Sequence, residues 1–188
     1  MPVRALNLYY ARDDCARAPV LATRLRATDV REHIGIPRGR VLTRVDGDVD
    51  LPDVLWDCPF ADASAHDGDM QARAASAEFE ACRAAMRTLT RRFERVIYEV
   101  LGGVAAPDVG RGEHVMQIWM SGRATLDMPA LHSLGATTVL HRADDNASLP
   151  DWIVEIPAPA GRDRSAAEDW IASHWKTQSR CIRWQRAA

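Results

Sequence analysis

Residues 41–53 read VLTRVDGDVDLPD, and residues 139–151 read VLHRADDNASLPD. The two stretches lie a constant 98 positions apart and agree without a gap at Val41/Val139, Leu42/Leu140, Arg44/Arg142, Asp46/Asp144, Leu51/Leu149, Pro52/Pro150 and Asp53/Asp151. The likeness continues more weakly, with Leu55 facing Ile153, Asp57 facing Glu155 and Pro59 facing Pro157. Chance is a poor explanation for such a run, but two similar hairpins within one undivided domain could also give it, so the order of the surrounding elements decides whether the chain is duplicated.

That order repeats. The first half reads as a strand (6–11), a helix (19–33), strands (41–45 and 54–58), a helix (76–91) and a strand (95–100). The second reads as a strand (115–120), a short helix (129–134), strands (138–142 and 152–156), a helix (165–175) and a strand (181–185). Phe79, Cys82, Met86, Leu89 and Phe93 recur at helical spacing behind Ser76, a natural N-cap. Ser165 and Glu168 form a capping-box pattern. The Asp-, Gly- and Pro-rich segments 46–52 and 144–150 suit hairpin connections. Residues 101–113, LGGVAAPDVGRGE, have no apolar period and read as a linker. The expected organisation is therefore two ferredoxin-like βαββαβ repeats, 1–100 and 114–188, joined by 101–113.

A βαββαβ unit leaves one sheet face bare of helices. Here neither face is polar: Val54, Trp56 and Cys58 alternate with Leu55 and Asp57, and Trp152, Val154 and Ile156 with Ile153 and Glu155. A strand apolar on both sides is buried on both sides. The simplest cover for one bare face is the other, which makes an α+β fold with antiparallel sheets, a pseudo-dimeric barrel in one chain. Eight strands enclose room for side chains or one small ligand. Such a chain closes its barrel as a monomer, with a homodimer as the other expectation.

The composition narrows the function classes. Of 24 basic residues only Lys176 is lysine, and arginine and alanine abundance points to a GC-rich bacterial genome. The net charge of −2 lacks the basic surplus that nucleic-acid binding needs. No apolar run is long enough to span a membrane, and the N-terminus lacks a signal-like apolar core, so a cytoplasmic protein is expected. Cys15, Cys58, Cys82 and Cys181 are too dispersed for a zinc or redox motif, and neither metal nor cofactor is expected.

Polar residues on duplicated strands are the candidate chemistry. Asn7 is matched to Gln117, Tyr9 to Trp119, and Asp57 to Glu155. With Trp56 they would line a binding site, and a carboxylate in an apolar cavity gains basicity. Asp57 and Glu155 are therefore candidate general bases; the other reading pairs them with arginines such as Arg44 or Arg142. His66, placed in the loop before the long helix beside Asp67, is a third candidate base or else a solvated loop residue.

The segment from Val54 to Arg83 resembles the antibiotic-biosynthesis-monooxygenase, NIPSNAP and EthD-like group of dimeric α+β barrels. The shared features are a strand ending at Trp56, a loop with Phe60 and Asp62, and a helix opened by Ser76, Ala77, Glu78 and Phe79. The resemblance implies a small-molecule-binding barrel acting as a cofactor-independent monooxygenase or isomerase on a small aromatic or lactone-like compound. The alternative is a non-enzymatic ligand carrier, or a structural barrel with a filled interior. In the haem-degrading branch an iron-ligating histidine follows the motif serine by seven residues. Arg83 stands there and cannot ligate iron, which sets haem degradation aside, although Asn7 matches a polar residue of that branch.

Overall fold

The computed structural model describes residues 1–34, 36, 38–46, 50–103, 113–122, 126–143, 149–158, 165–175 and 179–187. In the first half, β1 (Val3–Ala11) leads through a 3-10 turn to α1 (Arg17–His33), β2 (Arg40–Arg44), β3 (Val54–Phe60), α2 (Ala63–Ala75), α3 (Ala77–Leu89) and β4 (Thr90–Gly103). The second half has β5 (His114–Met120), α4 (Met128–Leu134), β6 (Thr138–Arg142), β7 (Trp152–Pro157), α5 (Ser165–His174) and β8 (Ser179–Arg186).

The strands close into one barrel in the order β1-β3-β2-β8-β5-β7-β6-β4. All neighbours are antiparallel. Each half contributes a sheet with its last strand beside its first, then its third and second. The joins are β2 to β8 and β4 to β6. β4 runs to Gly103 along β6, so the connection starts later than residue 101; its residues 104–112 lie outside the described set, as do 47–49 and 144–148 of the two hairpins.

Strand alternation sorts side chains into three cores. Leu6, Leu8, Leu42, Leu55, Tyr98 and Trp184 are among those filling the barrel from both halves. Its middle is thus occupied by side chains, where a ligand space was conceivable. Trp56, Cys58, Phe79, Cys82 and Met86 pack between the first sheet and its helices. Met116, Ile118, Met120, Leu131 and Trp175 do so in the second.

The hairpins repeat atom by atom. Arg44 donates its amide to the Asp53 carbonyl at 3.0 Å and its guanidinium to the Asp53 carboxylate at 2.8 Å. Arg142 does the same with Asp151, at 2.9 and 2.5 Å. Each carboxylate also accepts a backbone amide from the end of the first strand of its half or just past it, Ala11 at 2.8 Å and Gly122 at 2.6 Å. The duplicated arginines are therefore partners of Asp53 and Asp151, not of Asp57 and Glu155.

Two local readings need correction. The stretch after Phe60 is a helix, α2, capped by Asp62, whose carboxylate accepts the Ala65 amide at 2.9 Å. Its buried residues are Asp69 and Arg73, so its inward face is written in charges and shows no apolar period. The strand register also differs from the sequence match. Asp57 lies opposite Leu6 and Glu155 opposite Gln117, so the counterpart of Gln117 is Leu6, and that of Trp119 is Leu8. A one-residue slip exchanges the two faces of a strand, and it separates Asn7 and Tyr9 from their supposed equivalents.

Candidate functional site

A cleft of about 160 Å³ opens between the first sheet and helices α1 and α3. Tyr9 and Trp56 form part of its sheet wall, Phe79, Cys82 and Met86 its helix wall, and half-exposed Phe93 lies at 5.1 Å from the Tyr9 ring. These aromatics reach one space because Tyr9, Trp56 and α3 all belong to the outer core of the first half. Gly39 lets the chain lie close over β3: with φ +67° and a Cβ position 2.7 Å from the Asp57 carbonyl, it admits no side chain. The neighbouring Arg38 carbonyl there accepts the Trp56 indole N–H at 3.3 Å.

The cleft wall is rich in arginine. Arg24 stacks on Trp56, with its guanidinium carbon 3.4 Å from the ring centroid, and Arg31 and Arg73 stand at 4.6 and 5.1 Å. Such contacts attract a cation to the indole face. Arg31 and Arg73 both bind Asp69. Arg24 donates Nη1 to the Tyr9 hydroxyl at 3.0 Å, while its buried Nε and Nη2 have no hydrogen-bond partner among the described residues. Arg95 donates Nε to the Asn7 side-chain oxygen at 2.8 Å. Burial pulls the Arg73 guanidinium below its ordinary pKa despite Asp69, and burial together with Arg73 does the same to Arg95. Burial also pushes the Cys58 thiol up to about 11, although Arg31, Arg73 and Arg24 pull the other way.

Asn7, Tyr9 and Trp56 thus converge on this cleft, Asn7 through Arg95. Gln117 and Trp119 do not: they lie inside the barrel on the other face of the strands, with the Trp119 indole donating to Gln117 at 3.0 Å.

Asp57 and Glu155 are brought together, also inside the barrel and fully buried. Arg4 binds both, donating to Asp57 at 2.9 Å and to Glu155 at 2.8 Å. Arg40 bridges them at 2.6 Å each, and Gln117 adds a bond to Glu155 at 2.6 Å. Every carboxylate oxygen is engaged. Burial drives the Glu155 pKa up, but Arg4 and Arg40 outweigh it and hold the group well below the usual carboxylate range. The same fields raise Arg4 against its own burial. His66 is in neither place: on α2, it meets Phe60 edge-on at 5.3 Å and Asp67 at 3.4 Å.

Sequence reasoning missed the arginines. Arg24 and Arg31 sit seven apart, two turns along one face of α1, and Asp69 and Arg73 are spaced i,i+4. Only that spacing marked them, in a chain full of surface arginine.

Arg83 lines the cleft, paired with Glu80 at 3.0 Å, and offers iron no lone pair. Among the described residues no cluster of three His, Cys, Asp or Glu could hold a metal ion, and no helix is long and apolar enough to cross a membrane.

No protein-family model and no curated protein matches the chain. Solved structures do. A candidate monooxygenase from Fusobacterium nucleatum superposes with a TM-score of 0.62 at 10% identity, covering 100% of this chain and 93% of that one. An anthrone oxidase-like protein gives 0.56 at 13%, covering 100% and 92%. A chlorite dismutase from Candidatus Nitrospira defluvii gives 0.52 at 13%, covering 99% and 91%. These likenesses, with the closed strand order, give the chain the dimeric α+β barrel fold, completed within one polypeptide.

Proposed function

We propose that the chain binds a small planar aromatic molecule in the cleft beside Trp56 and oxygenates it without a cofactor. The observation that carries this reading is the cleft itself, apolar and aromatic on its walls and ringed by guanidinium groups. Fixed positive charge stabilises an anion that develops in a dry site. An acidic-carbon compound bound there would lose a proton to solvent water more readily, and its carbanion can reduce O2, one oxygen atom ending in the product and the other leaving as water with the protons released from the carbon. An isomerase would need a group to carry a proton between carbons, and no carboxylate or imidazole is among the described residues lining the cleft. On this reading Asp57 and Glu155 hold the barrel together, His66 is not a catalytic group, and Asn7, Tyr9 and Trp56 belong to the site. The matched hairpins and strand orders support a duplicated chain whose halves differ at this cleft, the second having Ile118 and Met120 where the first has Asn7 and Tyr9.

The test is oxygen uptake with anthrone as probe, an acidic-carbon aromatic, alongside a thermal-shift titration. Uptake above background, saturating with anthrone, is expected. Binding without uptake would favour a ligand carrier, the second reading, which the lack of a base in the cleft also suits. Neither binding nor uptake by anthrone or other planar aromatics would remove the cleft from consideration.

A further inference from the structure

We infer that the ligand of the Trp56 cleft carries a carboxylate, held by Arg24 and Arg95. This rests on the reading of the cleft as the ligand site and names the chemistry of its occupant.

The argument is one of charge balance. Arg24, Arg31, Arg73 and Arg95 gather around one sheet face, and the carboxylate bound among them is Asp69. Asp69 is engaged by Arg31 and Arg73. Arg24 and Arg95 have no ion pair with an acid among the described residues: one bonds a phenol, the other an amide oxygen and, at 2.9 Å, the Met70 sulfur. Arg24 is buried, and a buried guanidinium left so is costly because its donors lose water without gaining acceptors; Arg95 is half-buried. Both line the cleft.

The geometry of Arg24 narrows the class of anion. Its plane is fixed by the stack on Trp56, and Nη1 is used on Tyr9. Nε and Nη2, the two unpartnered nitrogens, form one edge of the guanidinium. That edge, closed to water in the ligand-free protein, carries two parallel N–H groups, the arrangement a carboxylate seated against it accepts with both oxygens. Arg95 is turned by Asn7, whose amide nitrogen donates to the Trp56 carbonyl at 3.3 Å. Asn7 is therefore a positioning residue for the second cation. The aromatic wall takes the apolar body of the same molecule.

The experiment compares 2-naphthoate with 2-naphthamide, equal in shape and differing in charge, by calorimetry on the full chain. A third arm, 2-naphthol, covers the phenolate as another source of an aromatic anion. Naphthoate is expected to bind about tenfold or more tighter than naphthamide, the scale of a charge-assisted bond. Arg24→Met and Arg95→Met should each remove most of that preference, with naphthoate losing more than naphthamide. Equal binding of naphthoate and naphthamide overturns the carboxylate inference and leaves the cleft as a ligand site. Binding of neither overturns the cleft reading itself. Naphthol bound more tightly than naphthoate replaces the carboxylate by a phenolate. The comparison of the three probes on the unmodified protein stands even if a variant fails to fold.

Discussion

The two faces of the first sheet each hold an arginine cluster, and the clusters differ in their balance. Inside the barrel Arg4 and Arg40 meet Asp57 and Glu155, two cations against two carboxylates, with all four carboxylate oxygens engaged. On the helix side, among the described residues, Asp69 pairs with two of four guanidinium groups, Arg31 and Arg73, and leaves Arg24 and Arg95 on neutral partners. The same strands supply both: β3 turns Asp57 inward and Trp56 outward. A chain that neutralises buried arginine where the barrel closes has the means to do so elsewhere. Leaving the outer cluster positive then marks a place where the missing charge comes from outside.

The largest effect should come from breaking the balanced cluster. Arg4→Met leaves two buried carboxylates facing Arg40 alone. Removing one partner of a buried ion pair costs about 3–5 kcal/mol. At this chain length that lowers the thermal midpoint by roughly 10 °C. Differential scanning calorimetry would measure it. A loss under about 1 kcal/mol would mean that the interior cluster is no more structural than the outer one, and the contrast would collapse.

Acid should act on the same cluster. The folded protein holds Glu155 below its ordinary pKa of 4.5, because Arg4 and Arg40 favour the charged form. A depressed carboxylate contributes stability that is fully present above its unfolded pKa and lost as pH falls towards its folded value. Urea midpoints should therefore drop as pH is lowered from about 6 to 3. In Glu155→Gln the drop should be shallower, from a lower starting stability. An unchanged slope would remove Glu155 from the acid response.

How much of this was legible follows from where the signal lay. The hairpins were readable because Leu-Pro-Asp and the arginine nine residues before its Asp recur at 98 positions, and the structure gives both pairs the same bonds. Barrel closure was readable from strands apolar on both faces. That same property hid which face was inside, since Trp56 and Leu55 are equally apolar; only the pairing of Asp57 with Leu6 resolves it. α2 was invisible because a helix that buries Asp69 and Arg73 has the pattern of an exposed loop. The cleft was half visible: Tyr9, Trp56 and Asn7 stood out as polar or aromatic strand residues. Arg24 and Arg95 did not, because no local rule separates a buried guanidinium from the surface arginines around it.

The hairpin acids offer an intermediate case, each held by its duplicated arginine. Asp53 is buried and serves Arg44, Arg17 and the Ala11 amide, whereas Asp151 is about a third exposed and serves Arg142 and the Gly122 amide. Asp53→Ala should cost about 2 kcal/mol and Asp151→Ala about 1, the scale of charged hydrogen bonds at different burial. Urea denaturation would rank them. The reverse order would show that the first half, which carries the cleft, is not the more firmly built of the two.

The smallest effect is the most telling. Arg24→Met in the ligand-free protein should change unfolding free energy by less than about 1 kcal/mol. It removes one hydrogen bond to Tyr9 and the stack on Trp56, each about 1 kcal/mol. It also removes two buried donors without acceptors, each of which costs about 1–3 kcal/mol, and lessens repulsion from Arg31 and Arg73. Methionine keeps apolar volume against the indole. The gains and losses nearly cancel, which is what a side chain retained for a ligand should show. Equilibrium unfolding of Arg24→Met beside Arg4→Met decides the matter. If both lose several kcal/mol, Arg24 is structural and the two clusters are of one kind. If only Arg4→Met does, the unbalanced charge beside Trp56 is a binding feature that the fold does not need.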